Sequence, residues 1–192
     1  MLEIPDLLQK RLSMLPKTLR EHVERVRGIA RTLSEIHGVD PDLAELAAAG
    51  HDVARHISPE TLLESALDCG IVIDPVEQRF PVLLHGPVGS EWLKREGSIT
   101  DMEILQSIRW HTTGHPKLSP IGQIVFLADK LDPKKEKAYP FQKTVQQAAY
   151  VNLNNGMTEF LNEILQQQLS RGDMIHPVTV ATWNHYLGIP RG

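Results

Sequence analysis

Residues 43–55 read LAELAAAGHDVAR, an alanine-rich run that ends on the pair His51-Asp52. Alanine is the strongest helix former, and Leu43, Ala47 and Gly50 share one helical face. The stretch therefore predicts a helix over 41–55, with His51 extending its inward side. A helix advances about 100° per residue, so neighbouring side chains at its end can converge on one point beside it. There the imidazole offers one nitrogen to one metal ion, whereas the carboxylate offers two oxygens and can bridge two. Such a pair suits a dinuclear centre.

An isolated His-Asp dipeptide is a weak signal, and the positions of the other candidates strengthen it. His22 continues the stripe Val26, Ile29, Leu33 and Ile36, which recurs at helical spacing and points inward. His111 follows Ile104, Leu105 and Ile108 at the phase that completes their face. Asp129 lies four residues after Val125 in the apolar run IGQIVFLADK, where an unpaired carboxylate costs several kcal/mol. His85, in PVLLHGPVG, has no helical phase to check. Singly, an inward histidine is more often a core residue, and a buried aspartate more often a cap or an ion-pair partner. Together, His22, His51, Asp52, His85, His111 and Asp129 read as a metal-ligand set. Nitrogen and oxygen donors without thiolate favour iron, manganese or zinc over copper(I) or a sulfur cluster.

The organisation is all-α. Helices are predicted near 5–13, 17–37, 41–55, 59–68, 75–84, 88–96, 100–110, 119–131, 141–170 and 177–187, and no stretch alternates as a strand would. Asp40, Ser58 and Asp74 each precede a proline at a first helical position, and Gly38, Gly70 and Gly97 follow helix ends. The run 141–169 is one long helix, or two joined near Asn154-Asn155-Gly156.

At 192 residues and 41% hydrophobic, the chain can bury one good core, and no composition break divides it, so 1–192 is taken as one domain. A net charge of −4 argues against a general nucleic-acid binder. MLEIPDLLQKRL has neither a signal-peptide core nor a transit-peptide composition, and no eighteen apolar residues run together, so the expected location is the cytoplasm, away from the membrane. The lone Cys69 forms no internal disulfide, which fits a reducing compartment. No GxxxxGK[ST] loop supports an NTP-driven kinase or ATPase. Monomer and homodimer both remain open.

The motifs AGHDVAR (49–55), PVLLHGPVG (81–89), ILQSIRWHTTG (104–114) and FLADKLDPKK (126–135), in this order and spacing, resemble the YqeK family of bacterial HD-domain proteins. The resemblance runs from about Leu19 to Lys135, and the rest of the chain is similar in helical pattern only. It implies an HD-domain helical bundle with a metal site in its core, and symmetrical hydrolysis of diadenosine tetraphosphate to two ADP. It further implies a di-iron site, with His22, His51, Asp52 and Asp129 around one metal and Asp52, His85 and His111 serving the other. The family's last motif commonly runs ADYIEPGR and here reads ADKLDPKK. Asp132 thus stands for Glu, and Lys134 and Lys135 replace Gly and Arg. Positive charge for phosphate is kept, but the bidentate fork of a guanidinium is lost.

Two adjacent metals bring a bridging water's pKa near neutrality, and the resulting hydroxide attacks phosphorus in line. Nearby cations then neutralise charge on the departing oxygens. Asp52 and Arg55 are the expected catalytic residues. Arg55, His56, Thr112, Thr113, Lys130, Lys134 and Lys135 are the expected phosphate and nucleotide contacts. Lys134 and Lys135 read equally as a solvated charge run with Glu136 and Lys137, and the Thr112-Thr113-Gly114 stretch equally as a helix-ending turn. His115 is expected at the site rim without a catalytic role. Two other readings stay open: a phosphohydrolase acting on a nucleoside monophosphate or a cyclic dinucleotide, and a metal-stabilised binding module.

Overall fold

A computed structural model describes residues 4–188, and among these every element is helical. The chain runs through α1 (Asp6–Met14), α2 (Lys17–His37), α3 (Pro41–Gly50), α4 (Pro59–Asp68) and α5 (Pro75–Arg79). A 3-10 turn (Pro81–Leu84) then leads into α6 (His85–Arg95), α7 (Met102–Trp110) and α8 (Pro120–Lys130). A second 3-10 turn (Pro133–Lys135) precedes α9 (Gln142–Val151), α10 (Leu153–Arg171) and α11 (Pro177–Leu187). The predicted caps form. Asp40, Ser58 and Asp74 accept from backbone N–H groups of α3, α4 and α5, each helix opening on a proline whose missing donor costs nothing there. None of the described helices is long and apolar enough to cross a membrane.

Helix α8 is the hub. Its sequence PIGQIVFLADK is apolar around most of its circumference, the pattern of a helix buried on all sides. Ile124, Val125, Phe126, Leu127 and Ala128 are accordingly all shut from solvent, with α2, α3, α7 and α10 packed about them. A smaller apolar cluster, with Ala54, Leu62, Ala66, Leu84 and Val88 at its centre, ties α4 and the first 3-10 turn to α6. The first residues of α6 lie against the end of α7.

Several predicted boundaries move, for local reasons. The helix expected over 41–55 stops at Gly50, and residues 51–57 run through successive i to i+3 turns, with Val53 N–H on the Gly50 carbonyl and Arg55 N–H on that of Asp52. The stretch 75–84 divides at Phe80, because Pro81 disfavours helical backbone in the residue before it; Phe80 takes φ −127°, ψ 72°. Helix α6 begins at His85 rather than at 88. The run 141–170 is two helices, but the break falls at Asn152, which is extended and caps α10 by accepting from Asn154 N–H. Asn154, Asn155 and Gly156 lie inside α10. Gly156 is there for closeness, since a Cβ on it would meet Ala149 Cα at 2.8 Å, where α9 crosses α10.

Candidate metal centre

Four histidines face one another, three of them at helix ends, and the same device orients those three. His51, His85 and His111 each donate Nδ1–H to the carbonyl three residues earlier: Ala48 at 2.7 Å, Val82, and Ile108 at 2.7 Å. Carbonyls in a helix's last turn lack intrahelical partners, so the imidazole satisfies one of them and in return its tautomer is fixed. In the neutral imidazole each Nε2 is left as a bare lone pair facing the centre. His22, mid-helix on α2, has no such carbonyl. It donates Nδ1–H to Asp132 Oδ2 at 2.5 Å, and Arg25 holds that carboxylate from the other side through Nε and Nη2 at 2.7 and 2.9 Å.

The Nε2 atoms converge on Asp52. Its Oδ2 lies 3.5 Å from His22 Nε2 and 3.4 Å from His51 Nε2, while its Oδ1 lies 3.0 Å from His85 Nε2 and 3.6 Å from His111 Nε2. Asp129 Oδ1 joins the first pair, 3.1 Å from His22 Nε2 and 3.7 Å from His51 Nε2. Within each pair the nitrogens are close, 3.3 Å for His22 and His51 and 2.9 Å for His85 and His111. Ligands bonded to one ion at about 2.1 Å are about 3 Å apart or a little more, which is the spacing found here. Two bare lone pairs 2.9 Å apart need a cation or a proton between them, so the donor set fits a metal. In two triads, His22-His51-Asp129 and His51-Asp52-His111, every ligand atom lies within 4.8 Å of the others, close enough to share one ion.

Close approach of α6 to α7 makes the second pair possible. Gly86 follows His85, and a Cβ there would sit 2.8 Å from the Arg109 carbonyl and 3.2 Å from His111 Nδ1. Any side chain at 86 would push the two imidazoles apart.

Electrostatics shows how strongly the cluster demands positive charge. Burial works against a charged His51, yet Asp52 and then Asp129 outweigh it and raise its pKa to about 10. Burial lowers His111 to about 3, helped by His85 and His51. Burial also opposes ionised Asp52 and Asp129, but His51 holds the first, and Lys130 and Lys135 the second, well below the usual carboxylate range. Burial raises Asp132 as well, and Arg25 and His22 more than offset it, leaving that carboxyl at about 2.

The HD domain sequence model matches residues 19–134. The chain belongs to the HD domain family. Members of this family are metal-dependent phosphohydrolases that bind divalent ions. It is 32% identical, over 93% of its length and 96% of the other's, to a protein of Halalkalibacterium halodurans named bis(5'-nucleosyl)-tetraphosphatase, symmetrical. A Bacillus subtilis protein of the same name is 28% identical over 85% of this chain and 86% of its own. A solved structure from Clostridium acetobutylicum, described as a predicted HD superfamily hydrolase involved in NAD metabolism, superposes with a TM-score of 0.88 at 26% identity. That superposition covers 95% of this chain and 96% of the other. The YqeK-type resemblance of the motifs and the all-α HD fold are both borne out.

Within this HD domain the six expected ligands come together, all nine-tenths or more buried. The expected substrate contacts divide. Arg55, Thr112, Lys130 and Lys135 line a cavity of about 200 Å³ that opens onto Asp52, His85, His111 and Asp129, with Val82, Leu83 and Tyr139 as its walls. Lys130 is buried, its amine on Asp129 Oδ2 and the His111 carbonyl at 2.7 Å each and 4.6 Å over the Phe126 ring. The Lys135 amine sits on Asp129 Oδ1. His56 and Lys134 are exposed and lie outside this cavity. Thr112 Oγ1 is 3.2 Å from His111 Nε2, and the Thr113 hydroxyl donates to the Gly114 carbonyl at 3.1 Å. His115 stacks on Trp110, ring centres 4.7 Å apart.

Sequence reasoning missed the Asp132 role. An aspartate before a proline reads as a cap, and Asp132 does accept from Lys134 N–H at 3.1 Å, but its second oxygen serves His22. Tyr139, beyond the helical phases that carried the reading, left no signal.

Proposed function

We propose that the protein is a cytoplasmic, di-metal symmetrical dinucleoside tetraphosphatase that cuts diadenosine tetraphosphate into two ADP. One observation carries the reading: the two oxygens of Asp52 face different histidine pairs, so a single carboxylate could serve two ions. His22, His51, Asp52 and Asp129 would hold the first and Asp52, His85 and His111 the second, with iron or manganese matching the nitrogen and oxygen donors. The names of the relatives support the substrate.

Ions held there would activate water and neutralise charge on the phosphate chain. The chain's own groups do the rest. Arg55 at the mouth and Lys135 at the wall sit where a polyphosphate must pass, each able to make a charge-assisted contact. The Lys135 amine, here on Asp129 Oδ1, would be free to turn to a phosphate oxygen if that carboxylate served an ion. Lys130 stays fixed by Asp129 and the His111 carbonyl, holding those two ligating elements in register. Val82, Leu83 and Tyr139 keep bulk water from the reacting phosphorus.

The test is to incubate iron-loaded protein with diadenosine tetraphosphate and separate the products by chromatography. ADP alone supports the reading. AMP with ATP overturns symmetrical cleavage, and intact substrate overturns the activity.

A further inference from the structure

We propose that Gln142, the first residue of α9, is a positioning residue for the metal centre: its amide closes the loop 130–142 on itself and so fixes Asp132, Lys135 and Tyr139, together with the neighbouring Asp129. The proposal rests on the metal-centre reading and extends it to a residue beyond the 19–134 match. The Gln142 side chain donates one hydrogen to the Lys130 carbonyl at 2.7 Å and the other to the Asp132 carbonyl at 2.9 Å. Two carbonyl partners fix the orientation of the amide, since its oxygen would repel both. Its reach follows from local geometry. A side chain in a helix leans toward the N-terminus, so one on the first residue projects back past the helix start, here onto the end of α8. There the Lys130 carbonyl, at the last position of α8, has no partner within its own helix.

A closed circuit of hydrogen bonds results. Lys135 N–H donates to the Asp132 carbonyl at 2.8 Å, Tyr139 N–H to the Lys135 carbonyl at 2.9 Å, and Gln142 N–H to the Tyr139 carbonyl at 2.9 Å. The Gln142 amide then returns to the Asp132 carbonyl, so both lone pairs of that oxygen are engaged. The three residues ahead of Gln142 in the circuit all serve the centre: Asp132 orients His22, and Lys135 and Tyr139 line the cavity of about 200 Å³. Lys130, at the other carbonyl, holds Asp129 Oδ2 and the His111 carbonyl. Gln142 itself lies outside that cavity, so it acts only through these groups.

The amide can hold the loop because α9 is itself anchored. Val145 and Ala149 are shut from solvent, and the Ala149 carbonyl accepts from His37 Nε2–H at 2.7 Å, which ties α9 to the helix that carries His22. A loop held only at the end of α8 would let Asp132 swing, and His22 with it. The tether from α9 removes that freedom, and outer hydrogen bonds of this kind set the direction of ligands. The first of the C-terminal helices thereby acquires a role in the centre.

The experiment titrates full-length protein with manganese and measures KM for diadenosine tetraphosphate at saturating manganese. Gln142→Leu keeps the bulk and removes both donors. Gln142→Asn keeps the amide but is one methylene too short to reach both carbonyls, and it gives the same test where the leucine variant does not fold. Val145→Ala, which loosens α9 without touching the loop, is the control for a general loss of stability. The Gln142 variants are expected to bind manganese about tenfold more weakly. With the ions saturating, their KM should still be raised several-fold, because Lys135 and Tyr139 are displaced; Val145→Ala should match wild type in both quantities. A shift in either quantity that Val145→Ala does not share upholds the proposal. Unchanged affinity and KM in the Gln142 variants, or the same changes in Val145→Ala, overturn it. Intact substrate in wild type would defeat the tetraphosphatase reading and leave the manganese titration to decide for Gln142, whereas wild type that binds no manganese would defeat the metal centre and the proposal with it.

Discussion

Asp132 Oδ2 accepts from His22 Nδ1–H at 2.5 Å while Arg25 grips both oxygens of the same carboxylate. The carboxylate is almost wholly buried, yet ionised, because Arg25 and His22 outweigh the cost of burial. This pairing turns His22 so that Nε2 faces Asp52 and Asp129, and it raises the basicity of that nitrogen toward a metal. Asp132→Asn keeps the turn cap but offers Arg25 and His22 a neutral, weaker acceptor. Metal affinity at the first site is expected to fall about 10–100-fold, as for other outer partners of ligating histidines. Elemental analysis against chelator concentration checks it, and wild-type retention of both ions would show that His22 is oriented by packing alone.

The charge demand of the cluster gives a pH dependence with a definite sign. Without metal, His51 has its pKa raised from 6.5 to about 10, so its contribution to stability is fully present below pH 6.5 and lost as pH rises through about 10. Metal must displace that proton, so ion affinity rises with pH over the same window. His111, at about 3, is already neutral there and adds nothing. The gain in Tm on adding manganese should therefore increase from pH 6.5 towards 10, measured by calorimetry in matched buffers. A gain that stays flat would show that His51 does not carry the proton.

How much could be read from the sequence depended on how each residue is positioned. His22, Asp129 and His111 lie within or directly after regular helices whose apolar stripes give them a phase, so their inward direction was legible. His51 was legible too, although its helix ends at Gly50, five residues earlier than expected. His85 had no phase, because it sits where a 3-10 turn becomes α6, and its place is set by Gly86 against α7, a tertiary contact. Asp132 was hidden for the same reason: its partner is more than a hundred residues away on α2. The three-way exchange among Asp129, Lys130 and Lys135 shows as adjacent charges in the sequence, but burial of Lys130 follows only from the packing of α8 at the centre of the bundle.

Lys130 and Lys135 both contact Asp129, and the two should separate on substitution. The Lys130 amine is buried and bonded to Asp129 and the His111 carbonyl. Lys130→Met leaves Asp129 short of a buried partner, and metal-free protein should lose about 3 kcal/mol of stability by urea denaturation. Lys135 is partly exposed, so Lys135→Ala should cost less stability and instead raise KM for diadenosine tetraphosphate, as should Arg55→Ala, each lost phosphate contact being worth about 1.5–3 kcal/mol. Unchanged kinetics in both Lys135→Ala and Arg55→Ala would return these cations to the solvated surface.

His85 and His111 provide the test of how the centre is divided. Both face Asp52 Oδ1, whereas His22 and His51 face Oδ2. If that division is the division between two ions, His85→Ala and His111→Ala should each keep one tight ion, held by His22, His51, Asp52 and Asp129, and lose most turnover. The fold should survive, because the remaining ion still neutralises Asp52 and Asp129. His22→Ala should weaken the first ion and, through the shared carboxylate, the second as well. Metal titration of the three variants decides among the alternatives. Two tight ions in His85→Ala would mean that the 3-10 turn and the start of α6 contact substrate or serve packing. A single ion lost equally from every variant would mean that the four histidines surround one metal, with Asp52 binding it through one oxygen.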